Sequence, residues 1–170
     1  MTQNVSLGQP SRAAAPLLAG WPALERVARS LLVLDPRAPG WTLRLAAAGE
    51  EEAVLLLDPA RDGLLHLAEV AAERAPLLAL RVCGGGEAGR LLLGSAVLEE
   101  GGLEARGWVL AALGRSLHPR AVIRLEGAAA EGAPGARLMA ALAHRTGRDV
   151  LAEEAGRRRA PPAAFHRPAG

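Results

Sequence analysis

Lysine is missing from this chain: all 20 basic residues are arginine. A lysine Schiff base, a Walker-type phosphate lysine and a lysine nucleophile are therefore excluded, and the arginine bias itself matches GC-rich coding. Tyrosine is missing too, and the aromatic residues are Trp21, Trp41, Trp108 and Phe165. The core must then be built from Leu, Val and Ala, with few of the rigid aromatic anchors that dominate binding hot spots. A lone cysteine, Cys83, rules out an internal disulfide and fits a reducing compartment. No apolar run reaches the ~18 residues of a membrane span. Met1 to Pro10 lack the basic-then-apolar layout of a secretion signal. The expectation is a cytoplasmic protein without a membrane span, with export by a route needing no N-terminal signal left open. Net charge is only +2, and the sequence pI near 9.8 reflects arginine titration. The one basic cluster, Arg157-Arg158-Arg159, makes no basic face, so no nucleic-acid partner is expected.

What is present fits one α/β domain. A chain of 170 residues, 50% hydrophobic, is long enough to bury a sizeable core. Residues 1–29 read as a leader with a short helix over Pro22–Arg29, residues 30–152 as the folded domain, and residues 153–170 as an Arg- and Pro-rich flexible tail. Within the domain, continuous apolar runs at Leu31–Leu34, Ala53–Leu57 and Leu77–Cys83 predict strands buried on both faces. Leu64, Leu65, Leu67, Ala68, Val70 and Ala71 change the period to that of an amphipathic helix, stopped by Pro76. Arg90–Leu98 reads as a hairpin about Gly94-Ser95, and Leu103–Leu117 as a second helix. His118-Pro119 should turn the chain into a strand over Ala121–Leu125. A helix from Pro134 to about Arg145 and a strand over Asp149–Ala152 complete the plan. The fold class expected is a three-layer, Rossmann-like α/β fold, with a mostly parallel sheet of about five strands, helices on both faces and a small β-hairpin insertion.

In open α/β sheets function sits at the carboxyl ends of the strands. Two such exits here are poor in side chains: Gly84-Gly85-Gly86-Glu87-Ala88-Gly89, and Gly127-Ala128-Ala129-Ala130-Glu131-Gly132-Ala133-Pro134-Gly135. The first also reads G-x-G-x-x-G, but a dinucleotide site needs a helix after it, and Arg90–Gly94 is strand-like. No cofactor is expected. Cys83 closes a buried strand and reads as core packing. His118 belongs at the opposite edge of the sheet, His66 and His144 on helices, and His166 in the tail, so no Cys–His pair or zinc spacing arises. Asp35, Asp58 and Asp62 follow neighbouring strands and form an alternative, a divalent-metal-dependent switch or enzyme. Against that, Asp58 begins a turn before Pro59 and Asp62 suits a helix cap. Glu50-Glu51-Glu52 reads as a solvated turn.

The order of certain segments adds a resemblance. These are Val33-Leu34-Asp35; Leu56-Leu57-Asp58-Pro59-Ala60-Arg61-Asp62-Gly63; Gly86 to Gly94 with Leu98; Gly127, Gly132 and Gly135; and Ala141 to Val150. Together, over roughly Leu31–Ala152, the chain resembles a bacterial domain of unknown function in the caspase-like (clan CD, CHAT-related) superfamily. That domain is found in large cadherin-like or haemolysin-type calcium-binding surface proteins. Such relatives carry Ser-His-Gly after the third strand and Tyr-Gly-Cys after the fourth, and the His and Cys form a thiol-protease dyad. Here those positions are Gly84-Gly85-Gly86 and Glu126-Gly127-Ala128. The resemblance thus implies a pseudoenzyme whose dyad positions are Gly85 and Ala128. It would act as a protein-binding, scaffold or assembly module, with Gly84, Gly86, Gly89, Gly127 and Gly135 as candidate binding positions. Exposed sheet edges give self-association or an extended partner a physical route.

Overall fold

The computed structural model describes residues 29–153. The leader up to Ala28, with all but the last residue of its expected helix, and the tail after Glu153 lie outside the described residues. Five parallel strands form the main sheet: β1 (Ser30–Leu34), β2 (Glu52–Leu56), β3 (Leu77–Cys83), β7 (Leu117–Glu126) and β8 (Asp149–Glu153), in the order β2-β1-β3-β7-β8. Three short antiparallel strands, β4 (Gly85–Glu87), β5 (Arg90–Leu93) and β6 (Ala96–Glu99), make a second, smaller sheet. The helices are α1 (Trp41–Ala46), α2 (Gly63–Glu73), α3 (Gly107–Ser116) and α4 (Gly132–Thr146).

Strand order dictates where the helices lie. Parallel crossovers are right-handed in nearly all proteins. The step from β1 to β2 runs one way along the sheet, whereas β2 to β3, β3 to β7 and β7 to β8 all run the other way. Helix α1 therefore falls on one face, and α2, α3 and α4 share the opposite face. The core follows this division. Leu31, Val33, Leu55, Leu80, Val82, Ile123 and Leu125 meet Leu64, Leu67, Leu110, Leu113, Leu138 and Leu142 on the three-helix side. On the other side Leu32, Leu34, Ala38 and Cys83 form a smaller cluster with Trp41 and Ala48. Each fully buried Leu contributes on the order of 2 kcal/mol of apolar transfer, so the three-helix side supplies most of the cohesion.

Local chemistry explains the element ends. Asp62 caps α2 by accepting the Leu65 N–H at 3.0 Å, and Leu64, Leu67 and Ala71 follow as its buried stripe. Gly147, at φ 66°, ends α4 in the left-handed conformation that glycine adopts without penalty.

Several boundaries differ from the sequence reading. The segment Gly84–Gly89, read as an open loop, contains β4, because hydrogen bonding to β5 outweighs the weak strand propensity of glycine. The helix expected from Leu103 begins at Gly107. Gly101 and Gly102 disfavour an α-helix, and two 3₁₀ turns, Glu100–Gly102 and Glu104–Arg106, carry the buried Leu103 instead. Strand β7 starts four residues before Ala121 and contains the His118-Pro119 pair expected to be a turn. Pro119 is tolerated because the ladder slips there: Leu77 pairs with Leu117, but Ala79 pairs with Val122. Helix α1 escapes the sequence reading because it is a single short helix that buries none of its residues.

Candidate functional site at the carboxyl rim of the sheet

All five parallel strands end at one rim, and the two glycine-rich segments meet there. The Gly89 N–H donates to the Ala129 carbonyl at 3.1 Å. A Cβ at Gly127 would stand 3.7 Å from the Gly84 carbonyl oxygen. The glycines between them have distinct tasks. Gly86, at φ 115°, could not carry a side chain, since a Cβ would run into the Arg90 carbonyl. Gly127, at φ 96°, likewise needs glycine. A Cβ at Gly84 would strike the Leu91 side chain and lie 2.8 Å from the Leu92 carbonyl oxygen. At Gly89 it would come within 2.7 Å of Pro134, and at Gly135 it would overlap the Ala130 backbone. Gly85 differs: its Cβ would meet ordinary contacts, the nearest being Arg37 at 3.5 Å. Of these positions Gly84, Gly85 and Gly135 are buried, Gly89 and Gly127 half-buried, and Gly86 and Ala128 exposed. The rim expected to display backbone along its whole length is therefore open at Gly86–Ala88 and Gly127-Ala128, and filled by the small sheet elsewhere.

The three aspartates near the rim are held by the protein itself. Asp35 is fully buried. It accepts the Arg37 backbone N–H at 2.9 Å, Arg37 Nε at 2.9 Å, Arg37 Nη2 at 2.7 Å and the Gly94 N–H at 2.8 Å. The same guanidinium donates to the Gly94 carbonyl. Burial opposes ionisation of Asp35, yet the Arg37 and Gly94 donors outweigh it and hold the carboxyl below its usual range. Asp58 accepts the Ala60 N–H at 2.8 Å in a turn. Asp62 caps α2 and pairs with Arg106; against its own burial, the Leu65 N–H and Arg106 keep its pKa low. The three aspartates form no cluster, and no group of three His, Cys, Asp or Glu able to hold a metal occurs among the described residues.

Beneath the rim, on the α1 side of the sheet, a charge lattice links four strands and a helix. Arg81 of β3 reaches Glu52 of β2 at 3.2 Å, Glu126 of β7 at 2.7 Å and Glu153 of β8 at 3.4 Å. Arg44 of α1 also pairs with the buried Glu126. Cys83 lies between this lattice and the small apolar cluster. It is 1% exposed, and burial pushes its thiol pKa up despite the nearby Arg44. Thiolate is the reactive form of cysteine, so this site disfavours attack by sulfur. No described histidine offers Cys83 a base. His66 and His144 sit on α2 and α4, across the sheet, and His118 lies near the start of β7, far from its carboxyl end.

Sequence reasoning found both glycine segments and the inert surroundings of Cys83, but it missed the Asp35–Arg37 latch and the Arg81 lattice. A signal for the lattice existed. Arg81, Arg124 and Glu126 interrupt otherwise apolar strands, and strand periodicity puts them on one face. Among the described residues no helix is long and apolar enough to cross a membrane. No curated protein and no solved structure matches the chain. The match that does occur covers residues 31–157, which take in the strands and helices described above except for Ser30 at the start of β1, and by it the chain belongs to the family described as a domain of unknown function, DUF4347.

Proposed function

We propose that this chain is a non-catalytic relative of the caspase-like superfamily, acting as a protein-binding, scaffold or assembly module. The observation that carries this reading is the contrast among the glycines of the rim. Gly86 and Gly127, the glycines of the two resembled motifs, occupy backbone conformations that demand glycine. Gly85 and Ala128, which stand at the positions of the reactive His and Cys, are under no such demand: a Cβ fits at Gly85, and Ala128 is exposed. A motif that keeps its backbone requirements while losing its proton-transfer and attacking groups is what decay of an active site leaves behind. Gly84 departs from this pattern, since the serine of the resembled motif would collide there.

Among the described residues, the neighbouring titratable groups do not suit the lost chemistry. The Cys83 thiol is buried with a raised pKa, and none of the described histidines lies beside it. Asp35 is saturated by four donors. Backbone groups at Gly86–Ala88 and Gly127-Ala128 remain accessible to a bound segment, which suits recognition rather than turnover.

The test is incubation of the purified full chain with fluorogenic peptide libraries and with a thiol-directed peptidyl electrophile. Neither cleavage nor labelling is expected. Peptide hydrolysis that persists through purification and disappears in Cys83→Ala would overturn the proposal.

A further inference from the structure

We infer that the partner in this assembly is a second copy of the chain, related to the first by a two-fold axis, with α3 of each copy lying antiparallel across α3 of the other. This rests on the assembly reading above and names the contact.

Helix α3 is the middle of the three-helix layer, between α2 and α4. Its Val109, Leu110 and Leu113 are buried in the larger core. Helical periodicity then leaves one outward stripe: Trp108, next Ala111 and Ala112, and last Arg115. Trp108 is 69% exposed, Arg115 is exposed and the two alanines are half-buried. Tryptophan and arginine are among the residue types most enriched in interface hot spots, and here one helix presents both, one at each end of its outer stripe.

The order along the stripe selects the partner. A two-fold axis crossing α3 at right angles over Ala111-Ala112 brings Trp108 of one copy to Arg115 of the other. The same pair recurs on the far side of the axis, as an isologous contact requires. A guanidinium over an indole face is attracted by the ring, and the alanines between them let the two helices approach. Glu104, exposed and one turn before Trp108, offers that guanidinium an opposite charge. Neither Glu104 nor Arg115 has an ion-pair partner among the described residues.

The rest of the layer is mixed in sign. Asp62 is already paired with Arg106, and Arg137 with Glu100. Glu69 and Glu73 line the outer side of α2, with Arg61 and Arg74 at its ends, while His144 and Arg145 close α4. The Arg145 guanidinium lies beside the start of α3, 3.5 Å from where a Cβ at Gly107 would be. A two-fold axis parallel to α3 fits less well, since it would set Arg115 against Arg115 and Glu104 against Glu104. Three helices about 10 Å apart and about 15–22 Å long offer roughly 500–600 Å² a side. That is the low end of specific interfaces, so the dimer should be weak and depend on concentration.

Light scattering and sedimentation of the full chain test the contact. The mean mass should rise with concentration from that of a monomer to that of a dimer, and stop there. Trp108→Ser should weaken the dimer about 30-fold or more and leave the circular dichroism unchanged. Glu104→Arg and Arg115→Glu, both at exposed positions, should each weaken it about 10-fold or more, because each sets like charges across the axis. An equimolar mixture of these two variants should dimerise like the parent, since opposite charges then face each other at both ends of the stripe. Four results would overturn the contact: a full chain that stays monomeric at its highest soluble concentration, a mass that climbs past a dimer, Trp108→Ser dimerising like the parent, or a mixture as monomeric as its components. Failure here is distinct from failure of the non-catalytic reading. A monomer that neither cleaves nor is labelled overturns the contact alone, whereas a dimer that cleaves peptides overturns that reading alone.

Discussion

Asp35 shows how a buried charge becomes a joint. Its carboxylate receives two donors from the Arg37 side chain, one from the Arg37 backbone and one from Gly94 of the β5–β6 turn, so it fastens the end of β1 to the small sheet. Asp35→Asn removes the charge from a fully buried site and cannot satisfy all four donors. It should cost about 2–4 kcal/mol in denaturant unfolding. The pH dependence has a definite sign. The folded pKa lies below the unfolded one, so the stabilisation is fully present above roughly pH 4 and is lost as pH falls through the folded value. The stability gap between the parent and Asp35→Asn should therefore narrow in acid; a gap that stays constant down to full protonation would contradict the latch. Cys83 belongs at the same scale. Its thiol should resist iodoacetamide in the native protein and react once denaturant opens the sheet, read by mass spectrometry.

Elements here are joined by close backbone approach more than by large side chains, as a chain with so few aromatics requires. The small sheet packs against the end of β3 because Gly84 leaves room for the Leu91 side chain and the Leu92 carbonyl. Gly84→Ala should destabilise the fold by about 1–3 kcal/mol through overpacking, whereas Gly85→Ala, with its nearest contact at 3.5 Å, should stay close to the parent in thermal melts. At the other end of the sheet Arg148 donates to the Gly147 carbonyl at 2.8 Å and the Leu117 carbonyl at 2.9 Å. Its charge thus sits at the carboxyl ends of α4 and α3, where helix dipoles favour a cation. Arg148→Ala should cost about 1–2 kcal/mol by the same melts.

Legibility from sequence varied with the range of the interaction. Strands β1, β2, β3 and β8 and helices α2 and α4 were readable because apolar runs, Asp62, Pro134 and Gly147 act locally. The β5–β6 hairpin was readable from the two apolar pieces about Gly94-Ser95, whereas the bulge that shelters Pro119 and the latch from Asp35 to Gly94 depend on residues far apart in the chain, and no local pattern announces them. The rim was half legible. That these two segments carry no His, Cys, Ser or Thr shows in the letters of Gly84–Gly89 and Gly127–Gly135, but the rim's partial closure by β4 and β5 does not.

For the molecule as a whole, the succession of crossovers sets both shape and heterogeneity of cohesion. Three helices on one face meet nearly all the buried leucines, while α1 meets a small cluster. The larger core is not filled completely: a cavity of about 30 Å³ remains between sheet and helices, lined by residues that include Leu80, Leu110, Leu113, Ile123, Leu142 and Val150. A space of this size accepts about one added methylene, so Val150→Ile should raise the melting temperature slightly, by an amount corresponding to at most about 1 kcal/mol. A fall instead would mean that the void cannot be reached from β8.

Strand β8 is the last to be synthesised of the described strands, and its backbone pairs with the sheet through β7 alone. Everything from β1 to β7 can close its ladders while the ribosome still holds the final helix and strand. Amide exchange should therefore be fastest along Asp149–Glu153 and slowest in β1 and β3, which are enclosed on both sides. The molecule completes itself at its margin, so a nascent chain offers β7 as an open edge until its own last strand arrives.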